Sequence, residues 1–212
     1  MKALGDAMFW VLEFLFGYFN NYGWAIIGLT VLVQMLVWPL TRGQTKSMLA
    51  MKELNPKLQE LQKKYKDNPE KLNKEMMALY KAHGVNPLGG CLPLLLQFPI
   101  LIALFNVLRV YPYPAGSAGF YWIPDLGQAD PLYILPLLTV ATTYLSSKQL
   151  STDPKQSGMM VAMPLVLGWM AMRFPAGLAL YWVVSNLVRF GQQWFDMRTL
   201  MVKGELAKNE NR

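Results

Sequence analysis

Four long stretches of the chain, residues 23–40, 87–108, 131–147 and 158–172, contain no Asp, Glu, Lys or Arg. A fifth, residues 175–195, contains a single charge, Arg189. Charge is scarce overall, at 16% of 212 residues against 53% hydrophobic, where a soluble domain has about a quarter charged and about 45–50% apolar residues. An ordinary water-soluble fold is excluded. A bilayer core of about 30 Å takes about 20 helical residues, with a lower limit of about 17. The five stretches are therefore predicted to be spanning helices, several of them short.

Cysteine occurs once, Cys91, and histidine once, His83. One cysteine permits no disulfide within the chain and supplies no N-terminal lipid anchor; inside an apolar run it reads as a small packing residue. A membrane protease needs an intramembrane Ser and His, two aspartates, or a His-Glu-x-x-His zinc site. His83 falls in a loop and none of the five stretches contains a carboxylate. No catalytic residue and no metal ligand is assigned, and the chain is not read as an enzyme. An ion-coupled transporter would bury Asp or Glu and repeat its spans in matched halves. No glycine-rich phosphate loop is present, so no nucleotide or other cofactor is expected.

What the chain does have is ordered along its length. Residues 1–21 include MFWVLEFLFGYF, apolar and aromatic but too short to cross and interrupted by Glu13, which suits a helix lying in the membrane interface. A signal peptide is the rival reading, opposed by the acidic residues and by the absence of a small-x-small cleavage site. The first span is expected over residues 22–41. Residues 42–84 then carry the apolar period Met51, Leu54, Leu58, Leu61, Tyr65, a break at Asp67-Asn68-Pro69, and Leu72, Met76, Leu79, Tyr80, which predicts two antiparallel helices in a short hairpin. The remaining spans are expected over residues 85–109, 131–147, 158–173 and 174–195. Loops follow at 110–130 and 148–157, and a tail at 196–212, only weakly positive, is expected to be disordered.

Orientation follows from the basic residues. Residues 42–81 carry ten Lys or Arg against five Asp or Glu, while residues 110–130 have no Lys or Arg. Basic loops stay in the cytoplasm, which places the N-terminus outside, the hairpin and the C-terminus inside, and the aromatic 110–130 loop outside. Arg109 and Arg173 fall on the outer side, at span ends where they can snorkel to the headgroups. The lysines of the hairpin are either a solvated face or a contact for anionic lipid, ribosomal RNA or an acidic targeting factor.

Polar residues within the spans fall into stripes. Thr30, Gln34 and Trp38 share one face of the first span, Thr139, Thr142, Thr143 and Ser146 one face of the third, and Tyr181, Ser185, Arg189 and Gln192 or Gln193 one face of the fifth. Together they suggest a hydrophilic interior; the threonines alone fit interhelical hydrogen bonding as well or better. Arg189 is different, since a charge at the bilayer centre costs about 2.5–3.5 kcal/mol even on the gentler scales. Methionines 159, 160, 163, 170 and 172 crowd the fourth span, as flexible contacts for varied apolar partners or as ordinary filler. Pro93, Pro99, Pro136 and Pro164 are expected to bend their helices.

Four strings resemble the bacterial YidC/Oxa/Alb insertases: WPLTRGQTKSM, MMALYKAHGVNPLGGCLPLLLQFPI, YWIPDLGQADPLYILP and FPAGLALYWVVSNLV. The likeness runs from about Tyr22 to Arg198 and does not include the large external domain of Gram-negative members. It implies an all-α polytopic protein of the bacterial cytoplasmic membrane, with five transmembrane helices, an N-terminal interfacial helix and a cytoplasmic helical hairpin. It further implies a groove open to the cytoplasm and lipid but closed to the outside; separately, a monomer is expected. Thr30, Gln34, Ser185 and Arg189, from the polar stripes, and Gln97, Tyr181 and Trp182, from the matching motifs, are the candidate groove residues. The family usually has an arginine where this chain has Gln34, which keeps hydrogen-bonding capacity without charge; polarity alone, an engineered site or another cation, Arg189 the candidate, would account for it.

The function the resemblance implies is insertion of small hydrophobic proteins into the membrane through this groove and a locally thinned bilayer, alone or with the Sec translocon. Implied partners are nascent membrane proteins, the ribosome and signal recognition particle or its receptor at the hairpin, and lipid. Two other functions fit the same features: a Sec-associated folding chaperone, and a lipid scramblase.

Overall fold

The computed structural model describes residues 2–85, 92–110, 118–150 and 157–210, without the side chains of residues 92–96, 109, 110, 150, 157, 159 and 201–210. Cys91, Tyr111, Tyr113 and the side chains of Pro93, Arg109 and Met159 lie outside this set. The regular structure of the described residues is entirely helical: α1 (Lys2–Phe19), α2 (Tyr22–Lys64), α3 (Pro69–Ala82), α4 (Leu92–Val110), α5 (Ile134–Leu150), α6 (Ser157–Ala171) and α7 (Ala176–Glu210).

Asn21 starts α2, its side-chain oxygen accepting from the Trp24 N–H at 3.2 Å. The helix then runs 43 residues without interruption, through both Pro39 and Pro56. Within this stretch two side-chain hydroxyls bond the helix's own carbonyls, Thr41 to Trp38 O at 3.0 Å and Thr45 to Thr41 O at 3.2 Å. The expected boundary at residues 41 and 42 is therefore no break in the backbone. At the far end Asn68 caps α3, with Pro69 in its first turn. α3 folds back so that Leu54, Leu58, Tyr80 and Val85 form a small buried cluster of their own. His83 closes α3, with Nδ1 2.9 Å from Leu79 O and Nε2 3.5 Å from Lys57 Nζ. That pairing requires the proton on Nδ1.

Two further expectations change. Pro136 is the third residue of α5, where the missing N–H has no helical partner to lose, so it starts the helix rather than bending it. The tail is not disordered up to Glu210: α7 continues past Phe195 to that residue. Its sequence after Arg198 is rich in Leu, Met, Lys, Glu and Ala, all strong helix formers, and contains no proline.

Packing divides the bundle into two halves. At one end Leu12 of α1, Tyr22, Ile26 and Leu29 of α2, Leu104 and Leu108 of α4, Ile123 and Leu126 of the loop, and Tyr181 with the first turns of α7 form one apolar core. The loop seals this end. Gln128 O and Leu126 O accept from the N–H groups of Ala176 and Gly177 at 2.6 and 2.9 Å, satisfying the open N-terminus of α7. Asp130, buried, accepts from the N–H groups of Leu132 and Leu135 at 3.1 and 2.7 Å and from Trp122 Nε1 at 3.2 Å. Gly23 lies directly under the ring of Phe120, where no side chain would fit.

The other half is inverted. Gln34, Gln44, Thr45, Gln97, Gln192, Gln193 and Asp196 are all buried, while Leu36 is 82% exposed, Leu40 52% and Leu187 52%. Large apolar side chains outward and amides inward is the reverse of a water-soluble bundle and is the arrangement favoured when the surroundings are hydrocarbon. Among the described residues α2 alone has an apolar window long enough by itself to cross a membrane; the apolar parts of α4 and α6, Gln97–Leu108 and Met160–Ala171, are shorter.

Candidate functional site

α2, α4 and α7 bring three of the expected residues to one place. Gln34, Gln97 and Arg189 line a single small cavity with Val33, Val37, Thr41 and Ile100. Arg189 Nη2 donates to Gln97 Oε1 at 2.8 Å, and Gln97 Nε2 donates to the Tyr181 hydroxyl at 2.9 Å. Guanidinium groups only donate, so the arginine fixes which end of the Gln97 amide it meets and turns the NH₂ toward tyrosine. Arg189 Nε, also buried, has no hydrogen-bond partner among the described residues. The cavity is about 10 Å³, space for about one water. In this conformation the polar centre is closed around its own side chains.

The other expected site residues are placed differently. Thr30 is fully buried but its hydroxyl bonds Ile26 O at 2.6 Å, on its own helix. Ser185 is buried one turn from Tyr181 on α7. Trp182 faces α5: its Nε1 donates to Thr143 Oγ1 at 3.2 Å. Asn186 Nδ2 reaches Thr142 and Thr143 at 3.2 and 2.9 Å. The threonine stripe thus joins α5 to α7, and the interhelical role accounts for Thr142 and Thr143.

A second cavity, about 280 Å³, lies between α4, α5, α6 and α7. Apart from Gln97 and Thr139 its lining side chains are apolar or aromatic, including Phe98, Leu101, Met163, Val166, Met170 and Trp182. Of the methionines expected to serve as flexible contacts, Met163 and Met170 therefore line a void.

Sequence reasoning missed Asp196, placed in the tail. It is 1% exposed. Trp38 Nε1 donates to Oδ2 at 3.0 Å, and Arg42 Nε lies 3.3 Å from Oδ1, close enough for an ion pair although poorly angled for a hydrogen bond. Gln192 Nε2 adds a bond to Gln34 O at 3.2 Å. The signal was available: Asp196 follows Arg189 by seven residues and Arg42 follows Trp38 by four, so each extends its polar stripe by a turn or two. Among the described residues no group of His, Cys, Asp and Glu is arranged to hold a metal.

The sequence was compared with known families and proteins. The family model for the 60Kd inner membrane protein matches residues 14–203. A membrane protein insertase YidC of Caldanaerobacter subterraneus subsp. tengcongensis is 45% identical over 196 residues, 92% of this chain and 95% of that protein. One of Cupriavidus pinatubonensis is 44% identical over 209 residues, 98% of this chain but 38% of the relative's length; the chain spans well under half of several such relatives. A crystal structure of an active YidC insertase, with its first transmembrane domain resolved, superposes with a TM-score of 0.77 at 30% identity, covering 90% of this chain and 45% of that one. With the helical bundle and the inverted packing, these matches establish that the chain belongs to the 60Kd inner membrane protein family, the family of the YidC membrane protein insertases.

Proposed function

We propose that this protein inserts small hydrophobic proteins into the bacterial cytoplasmic membrane, using the polar half of the bundle as a partial path across it. Five helices cross: the first part of α2, then α4, α5, α6 and the first part of α7, with the N-terminus outside and the α2–α3 hairpin and the C-terminus in the cytoplasm. Under that orientation the apolar core and the loop seal the outer end, and the polar interior lies toward the cytoplasm. The observation that carries the reading is this polarity gradient, with Arg189 at its centre.

A polar tail entering hydrocarbon loses hydration, and each unsatisfied backbone group costs several kcal/mol there. Side-chain amides and a guanidinium within the bundle offer substitute partners. Because the polar cavity holds only about 10 Å³, a substrate must part α2 and α4 from α7 and take over the bonds that Gln97, Tyr181 and Arg189 now make to one another. Arg189 supplies the cation at the place where Gln34 supplies none, drawing in acidic segments. α5 has 17 residues and α6 has 15, about 25 Å or less at 1.5 Å per residue, so the bilayer thins around them. Burial of the substrate's apolar helix in lipid then drives the reaction, without nucleotide hydrolysis.

Reconstitution of this protein alone into liposomes tests the reading. Protease protection of the external tail of a single-span substrate is expected without any Sec component. Protection only when Sec proteins are added would favour a folding chaperone, and rapid headgroup flip-flop without insertion a scramblase. Docking of ribosomes or the signal recognition particle system on the basic α2–α3 hairpin is part of the same proposal.

A further inference from the structure

The 280 Å³ cavity meets the polar centre only at Gln97, and the exposed Arg173 beside its lining residue Phe174 takes no part in that centre. An apolar cavity of about 150 Å³ accepts benzene, so this one has room for about twice that. Its apolar lining suits a flexible hydrocarbon chain. Phe174 and Met170 line it at the end where α6 turns into α7. Arg173, next to Phe174 in that turn, is exposed, its backbone N–H bonded to Met170 O at 3.0 Å. Its guanidinium carbon sits 5.0 Å from the centre of the Trp169 ring. A guanidinium can take a phosphate in two parallel hydrogen bonds while its face rests on an aromatic ring. Among the described residues no carboxylate is paired with it.

We propose that this cavity binds one acyl chain of an anionic phospholipid whose phosphate rests on Arg173, making the lipid a resident part of the bundle beside α4, α6 and α7. The proposal rests on the reading that α6 and α7 cross the bilayer. Such a lipid would keep the cavity dry and filled while Met163 and Met170, half-exposed on α6, adapt to its shape.

The test is native mass spectrometry of the full chain in detergent with equal amounts of phosphatidylglycerol and phosphatidylcholine. One retained phosphatidylglycerol is expected, preferred about five-fold, since one basic residue near a membrane surface is worth about 1 kcal/mol. Arg173→Gln, at an exposed position, should abolish the preference and still retain lipid. Met170→Trp, which fills the cavity, should lose most of the retained lipid. Equal retention of the two lipids by the unmodified protein, or a preference untouched by Arg173→Gln, would overturn the site. An alkaline carbonate wash of membranes carrying the protein separates the two claims. Release of the protein would sink the spanning reading, whereas retention without lipid selectivity would sink only the lipid site.

Discussion

Arg189 on α7 donates 2.8 Å to Gln97 on α4, and Gln97 in turn donates 2.9 Å to Tyr181, two turns back along α7. One amide thus bridges a cation and a hydroxyl across two helices. Gln97→Leu keeps the volume and leaves both groups without that partner. Hydrogen bonds to charged groups are worth about 1.5–3 kcal/mol, and side-chain bonds within membranes average less, so a loss of about 1–2 kcal/mol is expected. Thermal unfolding in detergent checks it, and an unchanged midpoint would show that the bridge is not formed.

Asp196 ties the two longest helices together through Trp38 and Arg42. Asp196→Ala should destabilise by about 1–2 kcal/mol, at the lower end of the about 1.5–3 kcal/mol that hydrogen bonds to charged groups are worth. The figure stays modest because the Arg42 side chain is 48% exposed and regains water when released. Asp196→Asn, which can still accept from Trp38, should lose less than Asp196→Ala. Equal losses would assign the whole effect to the ion pair.

α5 and α6 meet where Gly168 lies against the Val140 side chain, leaving no space for a Cβ. Gly168→Ala should therefore force the helices apart and lower the unfolding temperature. Val140→Ala in the same chain should restore part of the loss, a coupling that a double-mutant cycle reads directly. Additive losses would mean that the contact is not tight.

The sequence makes some of this legible and hides the rest for physical reasons. Tyr181, Ser185 and Arg189 recur every four residues and so declare a shared face; that Gln97 joins them is a tertiary fact visible only through the family likeness of its surrounding string. Thr30 sits on the right stripe yet bonds its own backbone, a choice that spacing cannot show. Asp196 escaped because a charge after an apolar run reads as the end of a span, whereas here α7 carries it buried into contact with α2. The uninterrupted course of α2 past residue 41 escaped because the change from apolar to basic sequence there marks the end of a span, while the backbone continues as helix.

The seal at the loop end depends on Asp130, which accepts two backbone N–H groups and the Trp122 indole. Asp130→Ala should cost about 1–2 kcal/mol as a lost cap. It should also speed proteolysis at the 118–130 loop, while proteolysis of α3 stays as it was. A uniform increase at both sites would point to global unfolding instead.

In the proposed function Arg189 provides the cation that Gln34 does not. Insertion of a single-span substrate with an acidic external tail, into liposomes containing only this protein, measures it most directly when repeated with Arg189→Gln and with Gln34→Arg combined with Arg189→Gln. Insertion should fall about ten-fold on losing the arginine, which corresponds to about 1.4 kcal/mol, and return to within about two-fold when the charge is restored from α2, across the cavity both residues line. Undiminished insertion by Arg189→Gln would contradict the account.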